Sequence, residues 1–179
     1  ELEAVRDGRA PGAVDTPKVA LVSTLGALHD GHVDLIRDAR SAADVVVVST
    51  FVNPLRFRTA EDTAAYPRTP DQDREILAAL GVDIVFAPTA RELLPEGTET
   101  MRVSAGHLGL RYEGRTRPYY FDGLLTVEAI LFHLVQPQIA VYGERDPQRV
   151  FLIRKMIWDQ FFDVQVRTVP TVRTDDGLP

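Results

Sequence analysis

Ser23-Thr24-Leu25-Gly26-Ala27-Leu28-His29-Asp30-Gly31-His32 determines how this chain folds, because it joins two runs of different period. Before it, Val19, Ala20, Leu21 and Val22 are continuously apolar, as a buried strand is, and after it Val33, Ile36, Arg37 and Arg40 recur at helical spacing. The chain therefore leaves a strand, turns through glycine and opens a helix. At that point unbonded backbone N–H groups and the positive end of the helix dipole favour phosphate. Imidazoles three residues apart share one face of such a helix. His29 and His32 are then placed to donate hydrogen bonds to a triphosphate, or to pass a proton to a departing oxygen near neutral pH. The same spacing also suits two surface histidines of a first turn, or half of a metal site. The chain has no cysteine, and its other histidines are His107 and His133, so further zinc ligands would have to be carboxylates. Metal capture is the weaker reading.

Beyond this stretch the alternation continues. Strands are expected at 18–24, 44–51 and 82–87, with helices at 31–43 and 70–80 and a loop around Asn53-Pro54. The second strand is β-branched and apolar throughout, which suits a parallel strand covered on both faces. Between 89 and 116, glycines and prolines break every long period, and a short helix, a short strand at 101–104 and loops are expected there. A helix at 122–135, a strand at 138–142, the turn Gly143-Glu144-Arg145-Asp146, a helix at 147–161 and a strand at 163–168 complete the pattern. The fold class is α/β, a Rossmann-like open parallel sheet with helices on both faces. Residues 1–17 read as a lead-in segment and 18–179 as one nucleotide-binding domain. Trp158, Phe161 and Phe162 read as core or interface anchors rather than a ligand cage.

With 179 residues, 45% of them hydrophobic, the chain fills one core. A formal charge of −6 disfavours nucleic acid and anionic lipid as partners. The apolar runs are too short to cross a bilayer, and the start of the chain lacks the layout of a secretion signal. Absence of cysteine fits a reducing compartment, so the cytoplasm is expected. Small-molecule chemistry remains.

In open parallel sheets the ligand crevice lies beyond the carboxyl ends of the strands, where the strand order reverses. Four polar segments, 23–32, 51–56, 143–149 and 170–173, each follow an expected strand, so one mouth would collect them all. With those segments in hand, the chain resembles the pantothenate synthetase family, the pantoate:β-alanine ligases among the HIGH-type nucleotidyltransferases. The resemblance is carried by the element at 26–32, by Phe51-Val52-Asn53-Pro54 with Phe57, and by Tyr66-Pro67-Arg68-Thr69. It continues through Leu134-Val135-Gln136-Pro137, Gly143-Glu144-Arg145-Asp146 and Val169-Pro170-Thr171-Val172-Arg173.

The resemblance implies ATP-dependent activation of a carboxylate as an acyl-adenylate, followed by amide formation with an amine such as β-alanine. It implies ATP contacts from Leu25, Gly26, Ala27, Leu28, His29, Asp30, Gly31 and His32, and from Gly143, Glu144, Arg145, Asp146 and Val172. His32, His29 and Arg145 take the catalytic roles, with His32 as proton donor, and Mg²⁺ is carried by the ATP rather than by a protein site. A homodimer is also implied.

Several positions depart from the family's pattern. Arg56 and Arg149 stand where it places two glutamines, so with Asn53 they are the expected acid-binding residues. A guanidinium only donates hydrogen bonds, so pantoate hydroxyls that need an acceptor lose it. Two arginines point instead to a more acidic partner, such as a dicarboxylate or a phosphorylated acid. Arg145 replaces a lysine, Leu25 a methionine, and Asp122 stands where it can pair with one of the new arginines. The resemblance stops at 176–179, short of the family's smaller C-terminal lid domain, which is expected to be absent. The expected activity is thus that of the ligase, impaired or altered in its acid; the alternative is a non-catalytic nucleotide-binding or dimerising paralogue.

Overall fold

Period-two alternation in the strands decides which helix covers which face of the sheet. A computed structural model describes residues 17–179, so residues 1–16 of the expected lead-in lie outside the described residues. Strands β1 (Val19–Thr24), β2 (Val45–Thr50), β3 (Ile84–Phe86), β4 (Ile139–Gly143) and β5 (Gln165–Val169) form one sheet. All neighbours are parallel, in the order β3-β2-β1-β4-β5. Helices α1 (Asp30–Ala42), α2 (Ala60–Ala65), α3 (Pro70–Ala79), α4 (Ala90–Leu93), α5 (Glu113–Thr116), α6 (Tyr120–Val135) and α7 (Pro147–Asp159) connect them.

The register sets Ala20 beside Val46 and Ile139, and Leu21 beside Val47 and Ala140, so like-facing side chains form rows across the sheet. The row of Ala20, Val46 and Ile139 packs with Ile36 and Ala39 of α1 and Leu77 of α3. The row of Leu21, Val47 and Ala140 packs with Phe121 and Phe132 of α6 and Ile153 of α7. Both faces are covered, which is why β2 is apolar throughout. Strand order reverses between β1 and β4, and the helices that follow these two strands, α1 and α7, begin side by side at that reversal. The expected Rossmann-like α/β fold is the observed one.

Three local expectations are corrected. Residues 101–104 form no strand, because side chains of α6 take their backbone donors: Val103 N–H bonds Thr126 Oγ1 at 3.0 Å and Ala105 N–H bonds Asp122 Oδ1 at 2.8 Å. Asp122 therefore serves that segment and pairs with neither Arg56 nor Arg149. The last helix stops at Asp159, leaving Trp158 and Phe161 exposed, while Phe162 packs its ring 5.3 Å from that of Phe132. Of the three residues expected to be core or interface anchors, Phe162 packs into the helix layer, and Trp158 and Phe161 are not core.

Candidate functional site

The turn after β1 is shaped before any side chain of α1 contributes. Gly26 has φ +79° and Ala27 φ +50°, a left-handed pair in which a non-glycine residue is strained. Asp73, buried at the start of α3, holds this shape. Its carboxylate accepts from Ala27 N–H at 3.0 Å, Leu28 N–H at 2.9 Å and Thr69 Oγ1 at 3.0 Å. Leu28 drops into the core, and His29 becomes the N-cap of α1.

That cap is made of imidazoles. His29 Nδ1 accepts from Gly31 N–H at 3.1 Å, and His32 Nδ1 accepts from His29 N–H at 3.3 Å, with the ring centroids 4.0 Å apart. A nitrogen that accepts cannot carry the proton, so both neutral rings are Nε2–H tautomers. Burial, then the neighbouring His29 ring and the Arg149 guanidinium, pull the pKa of His32 down to about 4, against a smaller opposing pull from Asp73. His32 is thus a neutral hydrogen-bond donor at pH 7. The expected proton-donor role requires an anion beside it that restores its basicity.

Both rings line a cleft of about 1000 Å³ at the strand-order reversal. Gly31, Gly143, Asp146, Pro170 and Thr171 also line it, together with Arg56, Arg145 and Arg149. All four segments singled out from the sequence therefore contribute to one cavity. The start of α1 lies on one side and the start of α7 on the other, so two helix dipoles present their positive ends to it. Asp146 caps α7 through Arg149 N–H at 2.9 Å. Arg145 is exposed and makes no hydrogen bond or ion pair among the described residues.

Other expected contacts lie elsewhere. Glu144 points to Thr168 Oγ1, 2.9 Å away, and neither it nor Val172 or Asp30 borders the cleft. Leu25, Gly26, Ala27 and Leu28 shape the turn without lining the cleft. Asn53 is buried with both ends of its amide engaged: Nδ2 donates to Gly123 O at 2.9 Å and Oδ1 accepts from Leu55 N–H at 3.0 Å. It caps the single 3₁₀ turn Pro54–Arg56 and so positions Arg56, and it borders a small pocket shared with Arg56 and Arg149 behind the cleft.

Sequence reasoning missed the opposite wall. Leu108, Arg111, Tyr112 and Glu113 close the cleft from the irregular segment before α6. Gln148 fastens that wall to α7, donating to Arg111 O at 2.8 Å and Leu108 O at 3.2 Å and accepting from Glu113 N–H at 3.2 Å. It also missed Glu128. This residue is buried on α6, where its carboxylate accepts from Ser23 Oγ at 2.7 Å, Arg149 Nη2 at 3.0 Å and Tyr142 OH at 2.9 Å. A lone acid inside the run 124–132, otherwise apolar except for Thr126, was the signal that could have found it.

Arg56 and Arg149 consequently differ. Burial alone would lower the pKa of Arg149, but Glu128 and then Tyr142 turn the shift upward. For Arg56 burial prevails and the pKa falls. Among the described residues Arg56 has no carboxylate partner; its Nη2 donates to Tyr120 OH, and its guanidinium carbon stands 4.7 Å from the Tyr120 ring centroid. Two unmatched arginines had pointed to a dicarboxylate, and the Glu128 pair removes one of those charges. No three His, Asp or Glu side chains stand together as a metal cage among the described residues.

A sequence profile of the pantoate-beta-alanine ligase family matches residues 2–179. The pantothenate synthetase of Acidothermus cellulolyticus is 54% identical over 170 residues, covering 95% of this chain and 56% of that protein. The crystal structure of pantothenate synthetase from Thermus thermophilus superposes with a TM-score of 0.85 at 44% identity, over 97% of this chain and 61% of that one. That of the Francisella tularensis pantoate-beta-alanine ligase, complexed with β-γ ATP and β-alanine, gives 0.88 at 37% identity, over 98% and 66%. The chain thus spans little more than half the length of the Acidothermus relative. Because the profile and these relatives agree over nearly all of its length, the chain belongs to the pantoate-beta-alanine ligase family.

Proposed function

We propose that this chain carries the nucleotide-binding and acid-activating part of an ATP-dependent, AMP-forming acid–amine ligase. The observation that carries this reading is the cleft at the strand-order reversal, where two Nε2–H imidazoles and four arginines border the space between two helix N-termini. In such a site a carboxylate oxygen attacks the α-phosphorus of ATP, the bond from that phosphorus to the bridging oxygen breaks, and pyrophosphate leaves. An amine nitrogen then attacks the acyl carbon of the adenylate, and AMP departs with the electron pair of the C–O bond. The nitrogen loses its proton to solvent. β-Alanine is the amine that the family's name and the Francisella relative's complex suggest.

His29 and His32 donate to phosphate oxygens through Nε2, and Arg145 meets the developing charge of pyrophosphate at the mouth. A polyanion against His32 favours its protonated form, which gives the ring a proton to share with the leaving oxygen. The donor set fits a triphosphate that brings Mg²⁺ with it, bound by phosphate oxygens and water, where the cation neutralises charge on the leaving group. Most of the rate enhancement then comes from positioning and fixed dipoles. The reading includes a homodimer, measurable by sedimentation, and a cytoplasmic location, measurable by fractionation; no helix among the described residues is long and apolar enough to cross a membrane.

The test is acid-dependent exchange of labelled pyrophosphate into ATP. Exchange in the presence of an acid, lost in His32→Ala and His29→Ala, is the expected result. Nucleotide binding with no exchange for any carboxylic acid would replace this reading with the non-catalytic one.

A further inference from the structure

The wall before α6 carries a tyrosine at a turn position that favours glycine. Tyr112 has φ +47° and ψ −115°, the geometry of the first central residue of a type II′ turn, and Gly114 N–H closes that turn on Arg111 O at 2.9 Å. A side chain in this region crowds its own backbone, which glycine avoids. One amide holds the conformation in place. Gln148 donates to Arg111 O at 2.8 Å and accepts from Glu113 N–H at 3.2 Å, so it bonds the backbone on both sides of Tyr112. The Tyr112 side chain is 83% exposed, so burial in a core does not offset the strain; it borders the cleft instead. Strain maintained at the edge of a ligand site points to a contact made when the ligand is there.

Charge identifies the chemistry of that contact. Of the four arginines that border the cleft, Arg149 pairs with Glu128 at 3.0 Å, Arg56 donates to Tyr120 OH, and Arg145 meets polyphosphate at the mouth in the reading above. Arg111 remains. It is exposed, and its guanidinium makes no hydrogen bond or ion pair among the described residues. The carboxylate of Glu113, two residues away, is engaged with Arg117 at 3.0 Å. An unpaired guanidinium beside an exposed aromatic ring suits a carboxylate on a short apolar chain: the fork takes the carboxylate oxygens and the methylenes lie against the ring. Leu108 and Phe151, which is 54% exposed, border the same cleft and extend its apolar surface.

We propose that Arg111 and Tyr112 form the docking place for the far end of the amine substrate, a short amino acid whose carboxylate is bound by Arg111 and whose methylenes rest on Tyr112. This rests on the ligase reading, which brings three ligands into one cleft. Polyphosphate takes the imidazoles and the helix starts, the acid lies against the α-phosphate, and the amine arrives last, along a wall that neither of the others occupies. Its amino group then points away from that wall, toward the acyl carbon of the adenylate. Gln148 is a positioning residue, acting on the amine through the turn that it holds.

The test follows the arginine ¹³Cζ resonances of the chain in saturating Mg·ATP while β-alanine, or n-propylamine, which lacks the carboxylate, is titrated in. β-Alanine is expected to move the Arg111 signal and propylamine to leave it in place. Arg111→Gln should weaken β-alanine binding about ten-fold, a difference of about 1.4 kcal/mol. Tyr112→Gly should raise Tm by about 2–4 °C, because the turn relaxes, and weaken β-alanine binding about five-fold. A tyrosine that served only the fold would give the reverse, a lower Tm and unchanged binding. Gln148→Ala should also weaken β-alanine binding, and by much less once residue 112 is glycine, as coupled positions do. An Arg111 signal unmoved by β-alanine or moved equally by propylamine, or a Tyr112→Gly chain that loses stability or keeps full affinity for β-alanine, overturns the proposal. Pyrophosphate exchange, in which no amine takes part, tests adenylation separately: β-alanine bound at Arg111 without exchange removes adenylation and leaves this docking place standing, while exchange with Arg111 unmoved removes the docking place alone.

Discussion

Asp73 shows how much a single carboxylate can determine. It fixes two backbone N–H groups in the left-handed turn at 26–27, and a Cβ built on Gly26 would stand 3.1 Å from its Oδ2. Asp73→Ala leaves two buried donors unpaired and is expected to lower stability by about 2–3 kcal/mol, measured by urea unfolding. It should also weaken nucleotide binding, because the cap at His29 rests on the turn. His32 gives a second outcome at this scale. Its folded pKa of about 4 lies below the usual 6.5, so between those values the unfolded chain binds more protons. Its contribution to stability is complete above pH 6.5 and is lost as pH falls toward 4. His32→Gln keeps an acceptor for His29 N–H, as glutamine does at this position of a capping box, but does not titrate. Unfolding series across that window should show a shallower pH slope for the variant. The imidazole pair was legible in the sequence because its spacing follows from helix geometry. Its tautomers and lowered basicity were not, since they depend on which nitrogen meets which backbone N–H and on Arg149, far away in the chain.

At the scale of elements, close backbone approach sets the position of Arg56. A Cβ added at Gly123 of α6 would lie 2.3 Å from Leu55 O, so helix and 3₁₀ turn touch main chain to main chain. Gly123→Ala is expected to cost about 1–3 kcal/mol by overpacking and to weaken carboxylate binding by displacing the turn that carries Arg56. Thermal unfolding together with an acid titration reads both effects. The segment before α6 obeys a similar constraint: a Cβ on Gly114 would fall 1.6 Å from Gly109 O. Strands β1, β2 and β4 could be read directly, because their apolar runs are long and their facing is dictated by the sheet. The wall formed by 106–116 could not. Its shape comes from Gln148 and from glycine contacts between residues that only the fold brings together, and no period in its own sequence announces them.

For the molecule as a whole, the parallel order β3-β2-β1-β4-β5 puts the first and fourth strands together, and with them two helix N-termini. The position of the cleft followed from topology alone, so the four segments expected at its mouth are found there. Its lining followed less well. Asn53 is held by backbone partners, while Glu128, Tyr120 and Gln148 lay in stretches whose apolar or irregular character concealed them. The net charge of −6 is likewise no guide to the cleft, which gathers Arg56, Arg111, Arg145 and Arg149 against Glu113 and Asp146. A chain that repels polyanions on average can still concentrate cations where one binds.

Every role proposed for the cleft depends on polyphosphate settling against the paired imidazoles at the start of α1. The chain has four histidines, and His107 and His133 do not line the cleft, so the side-chain ¹⁵N spectrum contains its own controls. Titration with Mg·ATP should shift the Nε2 signals of His29 and His32, raise the pKa of His32 from about 4 toward neutrality, and leave His107 and His133 unmoved. Saturating Mg·ATP that leaves the His29 and His32 signals in place, in a folded chain, would refute it.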